Sequence, residues 1–257
     1  MTEQEQSQLA VLDAHCHIDL FADPKAVVEK AESMHIRTIA VTNAPSVFFY
    51  TRQLTQNCRY VRPAAGLHPE LVHSHGNELE QLWPLLKQTN YVGEVGLDYV
   101  SPDKQNRERQ RQVFAAIVEQ CARLGNKVLT IHSRRAAADV ISTIGPNFHG
   151  KAILHWYSGS LRDLERAVEY GFYFSVNPAM TLSQNGNKII SAMPPERVLT
   201  ETDGPFVKLE ARPATPVDTS TVILALASTW RAEPEEAKSI VLNNFRSLFD
   251  AKSDALP

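Results

Sequence analysis

Histidines and acidic residues stand at positions from which they could bind metal ions. The chain has nine histidines, and five of them close or directly follow a predicted strand. These five are His15, His17, His68, His132 and His155. Glu94 lies inside another predicted strand, and Asp203 closes one more. Imidazole and carboxylate groups are common ligands of divalent metals, so the sequence predicts a metal centre if the fold gathers these residues.

Strands and helices must position these ligand-type residues. The sequence indicates them as short apolar runs that alternate with amphipathic segments. The predicted strands are 9–17, 37–43, 60–67, 91–97, 127–132, 151–155, 171–177 and 197–203. Most are rich in Val, Ile, Leu, Phe or Tyr, as is typical of strands buried on both faces. Eight strand–helix units in 257 residues predict a single-domain TIM (β/α)₈ barrel over residues 1–257. An open doubly wound sheet with the same alternation is the alternative.

Helix signals support this alternation. Asp23 followed by Pro24 is typical of a helix N-terminus, and Asp103 and Gly125 bracket a second, longer helix. Buried stripes are expected at Phe114, Ile117, Val118 and Cys121, and at Ala237, Ile240, Val241, Phe245 and Leu248. Residues 204–216, which contain three prolines, are the best candidate for a long active-site loop.

A barrel would bring the ligand-type residues together, because the carboxyl ends of its strands converge on one mouth. Side chains alternate along a strand, so His15 and His17 should share a face while Cys16 packs against a helix. Glu94 should be paired or metal-bound, since a buried lone carboxylate is costly. Taken singly, each residue has an ordinary alternative: a buried histidine, a salt bridge or a turn cap. Together, six ligand-type residues at matched strand ends favour a metal centre: His15, His17, Glu94, His132, His155 and Asp203.

Composition limits the partners and the compartment. The chain is 43% hydrophobic and 21% charged with a net charge of −3, so a nucleic acid would have to be held by local charge or by metal. Three cysteines without close spacing fit a reducing cytosol and a cytoplasmic protein. Residues 1–8 are polar and are expected to be a flexible N-terminus rather than a signal peptide. No apolar run is long enough to predict a membrane span.

A set of motifs identifies a family resemblance over nearly the whole chain. The motifs are residues 13–19 (DAHCHID), 66–69 (GLHP), 93–98 (GEVGLD), 132–134 (HSR), 158–159 (SG) and 201–206 (ETDGPF). They resemble the TatD family of metal-dependent deoxyribonucleases within the amidohydrolase-like TIM barrels. Residues 131–137 and 155–160 look most like the QatD branch of the Qat anti-phage systems. Trp156-Tyr157 and Gly204 depart mildly from the family pattern and could reshape the pocket wall.

The resemblance implies a binuclear centre of divalent Mg²⁺, Mn²⁺ or Zn²⁺. His15, His17 and Asp203 would hold one metal, and Glu94 would bridge both. His132 and His155 would hold the second metal. Two metals about 3.5–4 Å apart can activate a water, neutralise phosphoryl charge and stabilise a leaving group. We expect Asp203 to orient the attacking water.

Two further residues receive roles near the phosphate. The family places a histidine close to the scissile phosphate, and His68 matches that motif, although it could instead cap the Gly-x-His-Pro turn. Arg134 directly follows a ligand and could grip a phosphate, although an arginine at a helix start is often only solvated. Asp203, Glu94 and His68 are therefore the expected catalytic residues.

The resemblance implies DNA cleavage, with 3′–5′ exonuclease activity on single strands or 3′ ends; RNA is a second candidate substrate. Trp156 or Tyr157 could stack on bases, or both could be core residues. The QatD resemblance implies antiviral defence together with other Qat proteins. Two alternatives stay open: an amidohydrolase acting on a small amide, lactone or phosphotriester, and a non-catalytic subunit that binds DNA or a defence complex.

Overall fold

The computed structural model describes residues 7–249. Of the N-terminal segment predicted to be flexible, residues 1–6 lie outside the described residues. Within residues 7–249 the strands are β1 (Leu12–Cys16), β2 (Arg37–Ala40), β3 (Val61–Pro63), β4 (Tyr91–Gly96), β5 (Val128–His132), β6 (Lys151–His155), β7 (Tyr173–Val176), β8 (Val198–Thr200), β9 (Lys208–Leu209) and β10 (Arg212–Pro213). The predicted strands therefore all occur; β6 has the predicted bounds, and the other seven are somewhat shorter than their apolar runs.

Helices connect the strands. The α-helices are α1 (Pro24–Ser33), α2 (Phe48–Leu54), α3 (Val72–His75), α4 (Leu79–Leu85), α5 (Lys104–Leu124), α6 (Ala137–Ile144), α7 (Leu161–Glu169), α8 (Pro178–Thr181), α9 (Gln184–Ala192), α10 (Thr219–Trp230) and α11 (Pro234–Arg246). Short 3₁₀ helices span Ile18–Leu20, Pro45–Val47, Pro69–Leu71, Gly76–Glu78, Pro195–Arg197 and Pro216–Asp218.

Two compact units can be distinguished, and the prediction of a single domain over residues 1–257 stays a prediction. The first unit contains residues 7–40, 53–62 and 174–249 of the described chain. In it β1 pairs in parallel with β2, and β7 pairs in parallel with β8. Cys16 is buried in one cluster with Val28 and Ala31 of α1, which confirms that it packs against a helix. Asp23 caps that helix, because its Oδ1 accepts the Ala26 N–H at 3.0 Å.

The second unit contains residues 41–52 and 63–173. Strands β4, β5 and β6 pair in parallel in chain order, as the alternation predicts. Helix α5 buries the predicted stripe that runs from Phe114 to Cys121. Its predicted ends are confirmed: the Asp103 carboxylate accepts the Gln105 N–H at 2.8 Å, and Gly125 follows the last residue with a φ of 66°.

The segment that follows β8 is an ordered hairpin. Strands β9 and β10 pair antiparallel, and the Ala214 N–H donates to the Val207 carbonyl at 2.9 Å. Arg212 donates from both terminal nitrogens to the buried Asp218 carboxylate, at 2.7 Å each. Burial would raise the pKa of Asp218, but the hydrogen bonds from Arg212 and Thr215 outweigh it and lower the pKa. Between residues 7 and 249 no helix is both apolar enough and long enough to cross a bilayer.

We predict that Asp218→Asn lowers the free energy of unfolding by about 1–3 kcal/mol at pH 7, the contribution of hydrogen bonds to a charged group. Because the native pKa of Asp218 is lowered, the stabilisation is present above the unfolded-state pKa near 4 and is lost as the pH falls through the native value. The difference from wild type should therefore shrink below about pH 4. Urea unfolding of both proteins at pH 7 and at pH 3 measures this difference in the free energy of unfolding. Glu165→Gln, at an exposed position, is the control, and a pH-independent difference would contradict the prediction.

Candidate functional site

In the first unit, two histidines and one aspartate form a buried group, the first cluster (His15, His17, Asp203). The Nε2 atoms of His15 and His17 lie 3.2 Å apart, so the two rings share a face as predicted. Asp203 Oδ1 lies 3.8 Å from His15 Nε2 and 3.4 Å from His17 Nε2. Three donor atoms of types that bind metals therefore converge on one buried point.

The contact between β1 and the end of β8 fixes the first cluster. The Asp203 N–H donates to the His15 carbonyl at 2.9 Å, and the His17 N–H donates to the Gly204 carbonyl at 2.8 Å. Asp203 has a φ of 52°, a conformation that non-glycine residues adopt rarely and that is found disproportionately at functional sites.

Two buried carboxylates that the sequence analysis left without a role support Asp203. Asp13 accepts the Thr202 backbone N–H at 3.0 Å and also the Thr202 hydroxyl. Burial raises the pKa of Asp13 to about 8, against the opposing effect of these hydrogen bonds. Glu201 accepts hydrogen bonds from the Ser175 hydroxyl and, at 3.0 Å, from the Asn177 amide. The alternation of acids along 201–203 is the sequence signal that could have indicated this supporting layer.

In the second unit, one carboxylate oxygen is surrounded by imidazoles; we call this group the second cluster (His68, Glu94, His132, His155). Glu94 Oε1 lies 2.8 Å from His132 Nδ1, 3.0 Å from His155 Nε2 and 3.3 Å from His68 Nε2. Glu94 is only 3% exposed, and a carboxylate so deeply buried requires partners of this kind. Donor atoms of His68, Glu94 and His132 lie within 4.8 Å of one another, a spacing that could hold a metal ion.

Glycines allow the backbone to approach closely around Glu94. A side chain at Gly96, which has a φ of 140°, would place its Cβ 2.1 Å from the His132 carbonyl oxygen. A Cβ at Gly66 would lie 2.4 Å from the Glu94 nitrogen. Neither position can take a larger residue without moving Glu94 or His132.

His68 caps its turn, one of the two roles that the sequence analysis kept as alternatives, while its role near the scissile phosphate stays a prediction. Its Nδ1 accepts the Glu70 N–H at 3.2 Å and thereby caps the 3₁₀ helix Pro69–Leu71. Its Nε2 faces Glu94. The turn thus places the imidazole inside the second cluster.

Asp98 belongs to this site and was missed as a functional residue. Its Oδ2 lies 2.8 Å from His132 Nε2, while its Oδ1 accepts the Val100 N–H at 2.8 Å. Burial would raise the pKa of Asp98, but its hydrogen bonds to His132 and Val100 and the charges of His132 and Arg134 outweigh it and lower the pKa. For His132, burial alone would lower the pKa, but the hydrogen bonds with Asp98 and Glu94 outweigh burial and raise the pKa. The only sequence signal for Asp98 was its position four residues after Glu94 in the same motif.

The remaining predicted residues lie at the surface or in the core. Arg134 is exposed, and its carbonyl accepts the Tyr99 N–H at 3.0 Å. Trp156 is 38% exposed and has a φ of 40°. Tyr157 is 1% exposed, and its hydroxyl donates to the Ser160 carbonyl at 2.7 Å. The suggestion that Tyr157 could stack on bases is therefore wrong, because packing covers its ring; the alternative of a core residue holds.

We predict that Asp98→Ala weakens divalent-metal binding at the second cluster by about 10- to 100-fold, the usual effect of removing a carboxylate that orients a ligating imidazole. Asp98→Asn should lose less, because its side-chain oxygen can still accept from His132. Titration with Co²⁺ against a chelator, followed by absorption, measures the affinity. Asp103→Asn, which keeps the cap of α5, is the control. Unchanged affinity in Asp98→Ala would refute the orienting role.

Comparison with known proteins connects this geometry to a family. The model of the family described as TatD related DNase matches residues 12–250. The chain is 28% identical to the mouse protein named putative deoxyribonuclease TATDN3, covering 94% of the chain and 88% of the relative. It is 29% identical to YjjV of Escherichia coli K12, named an uncharacterized metal-dependent hydrolase, covering 93% and 97%.

Solved structures identify the fold. The crystal structure of YjjV, described as a TatD homolog, superposes with a TM-score of 0.83 at 27% identity over 95% of this chain and 99% of that one. A Saccharomyces cerevisiae protein described as an uncharacterized amidohydrolase superposes with a TM-score of 0.77 at 14% identity over 93% and 99%, a likeness of fold alone. The predicted amidohydrolase-like TIM-barrel fold is thereby confirmed. The chain belongs to the TatD-related DNase family of metal-dependent hydrolases.

Proposed function

We propose that this protein is a deoxyribonuclease that hydrolyses phosphodiester bonds with two divalent metal ions. The single observation that carries the proposal is the convergence of imidazoles on buried carboxylates in each cluster, with Glu94 Oε1 inside 3.3 Å of three imidazole nitrogens. Buried imidazole and carboxylate donors that converge in this way are suited to holding a divalent cation.

The donor set agrees with a divalent metal. One ion would be held by His15, His17 and Asp203, whose donor atoms lie 3.2–3.8 Å apart. The second would be held by the second cluster, with His132 and His155 as its imidazole ligands and Glu94 as its carboxylate. Mixed imidazole and carboxylate ligands suit Zn²⁺ or Mn²⁺, and the family resemblance adds Mg²⁺.

Individual side chains of the protein have separate roles in the proposed hydrolysis. A bound divalent cation supplies Lewis-acid activation and neutralises charge on the phosphoryl oxygens. Asp203, held by Thr202 and the β1 backbone, orients the attacking water and accepts its proton. His68, fixed by its turn, donates a hydrogen bond toward the phosphate. Arg134, which is exposed, offers a guanidinium that can meet a phosphate oxygen from solvent.

DNA presented as single strands or 3′ ends is the proposed substrate, cleaved in the 3′–5′ direction, with RNA as a second candidate substrate. The relatives named as deoxyribonucleases support DNA. A net charge of −3 supports recognition of a few nucleotides rather than of a long duplex. Trp156, with a partly exposed ring beside His155, can stack on a base.

We predict that Glu94→Ala lowers cleavage of a single-stranded oligonucleotide by at least about a hundredfold, because the imidazoles lose their common carboxylate. A 5′-labelled oligonucleotide should yield a ladder of products shortened from the 3′ end. Glu80→Ala, at an exposed position, is the control. Undiminished cleavage by Glu94→Ala with its metal content intact would contradict the mechanism. Activity on lactones, amides or phosphotriesters but on no oligonucleotide would favour the amidohydrolase alternative.

We further propose that this deoxyribonuclease serves in defence against phage. This role rests on the likeness of residues 131–137 and 155–160 to the QatD branch, with other Qat proteins as partners in the cytoplasm. The free thiols of Cys16, Cys58 and Cys121 agree with a reducing compartment.

We expect the double variant His15→Ala/His17→Ala to lose phage protection, measured as plating efficiency on cells that carry the whole system, because the first metal is no longer held. Co-purification of the Qat proteins with the double variant serves as the control for assembly. Full protection by the double variant would favour a non-catalytic, partner-binding role instead.

A further inference from the structure

One exposed aromatic side chain in the first unit has no role so far. Phe206 is 58% exposed and lies in the 201–206 motif, three residues after Asp203. Its ring centroid is 5.0 Å from that of His17, with the planes at 82°, an edge-to-face contact. The other exposed large apolar side chains of this unit within residues 7–249 are Leu20 and Leu182, which are aliphatic.

The backbone holds Phe206 in a fixed place relative to the first cluster. Its N–H donates to the Asp203 carbonyl at 2.9 Å, and the next N–H, that of Val207, donates to the same carbonyl at 3.2 Å. The hairpin that follows is locked by Arg212 and Asp218. An exposed ring on an anchored loop loses little conformational freedom when it binds a partner, so it is pre-organised for contact.

We propose that Phe206 is a stacking platform for one nucleobase, that of the nucleotide adjoining the phosphodiester bond cleaved at the first cluster. The proposal rests on the proposed phosphodiesterase function. A neutral aromatic ring cannot attract a phosphate, but it stacks on any base, because every base has a π face. Lys208, exposed two residues further on, places a positive charge on the same hairpin for the phosphate backbone.

This assignment restricts the form of the substrate. A base can lie on Phe206 only when it has left its stack in a duplex, so single strands, frayed ends and flipped nucleotides are accepted and internal paired DNA is not. Because stacking tolerates all bases, Phe206 contributes affinity and position with little preference for sequence.

The test compares small esters that differ only in the presence of a base. Thymidine 5′- and 3′-(p-nitrophenyl phosphate) place the base on either side of phosphorus, and methyl p-nitrophenyl phosphate lacks it; all are assayed with Mn²⁺. Phe206→Ala should lower kcat/KM for at least one thymidine ester by about tenfold, as expected from the loss of a stacked base. The methyl ester should change by less than about twofold. Phe206→Trp should restore the thymidine rate, and Leu182→Ala, at a position 78% exposed, is the matched control.

Two outcomes overturn the platform: an equal loss on the methyl ester, which would mean that Phe206 only supports His17, or no loss on either thymidine ester. If wild type hydrolyses none of the esters, cleavage of the labelled oligonucleotide decides the hydrolase proposal, and binding decides the platform. In that case calorimetry with thymidine 5′-phosphate and ribose 5′-phosphate should show tighter binding of the nucleotide, lost in Phe206→Ala. Equal binding of the two ligands, or nucleotide binding unaffected by the substitution, would reject it.

Discussion

The structure depends on the burial of carboxyl groups, which the fold must compensate by bringing hydrogen-bond donors to them. Glu94 is 3% exposed in the middle of β4, where a charge without partners would cost several kcal/mol. Three histidines from three other segments of the second unit supply those partners. His132 and His155 end the neighbouring parallel strands β5 and β6, and His68 is placed by the turn that it caps, so all three rings can reach Glu94.

In the first unit, buried carboxyl groups obtain their hydrogen-bond partners in a different way. Asp203 is positioned by backbone hydrogen bonds to β1 and by a left-handed conformation, while Asp13 and Glu201 are satisfied by hydroxyl, amide and N–H donors. Through these hydrogen bonds Asp13 ties β1 to the end of β8, and Glu201 ties the same segment to the end of β7. Polar networks of this kind are rigid when every member is satisfied, which a hydrolytic centre requires.

Ligand-type residues and exposed aromatic rings lie in different parts of the chain. His155 ends β6 and Asp203 follows β8, whereas Trp156 and Phe206 lie in the loops that come after these strands. Loops on a rigid scaffold can change without disturbing the core. Aromatic residues in such loops can be exposed or buried: Trp156 and Phe206 are exposed, whereas Tyr157, next to Trp156 in the chain, is buried.

The sequence alone determined the strand–helix order, the helix caps at Asp23 and Asp103, and the identity of the ligand-type residues, because periodicity and capping are local properties of the chain. Tertiary structure alone decided that Asp98 lies against His132, that Tyr157 is enclosed while Trp156 is not, and that residues 204–216 form a locked hairpin. Those outcomes depend on contacts between residues far apart in the chain and on packing on both sides of a loop, which no local pattern encodes.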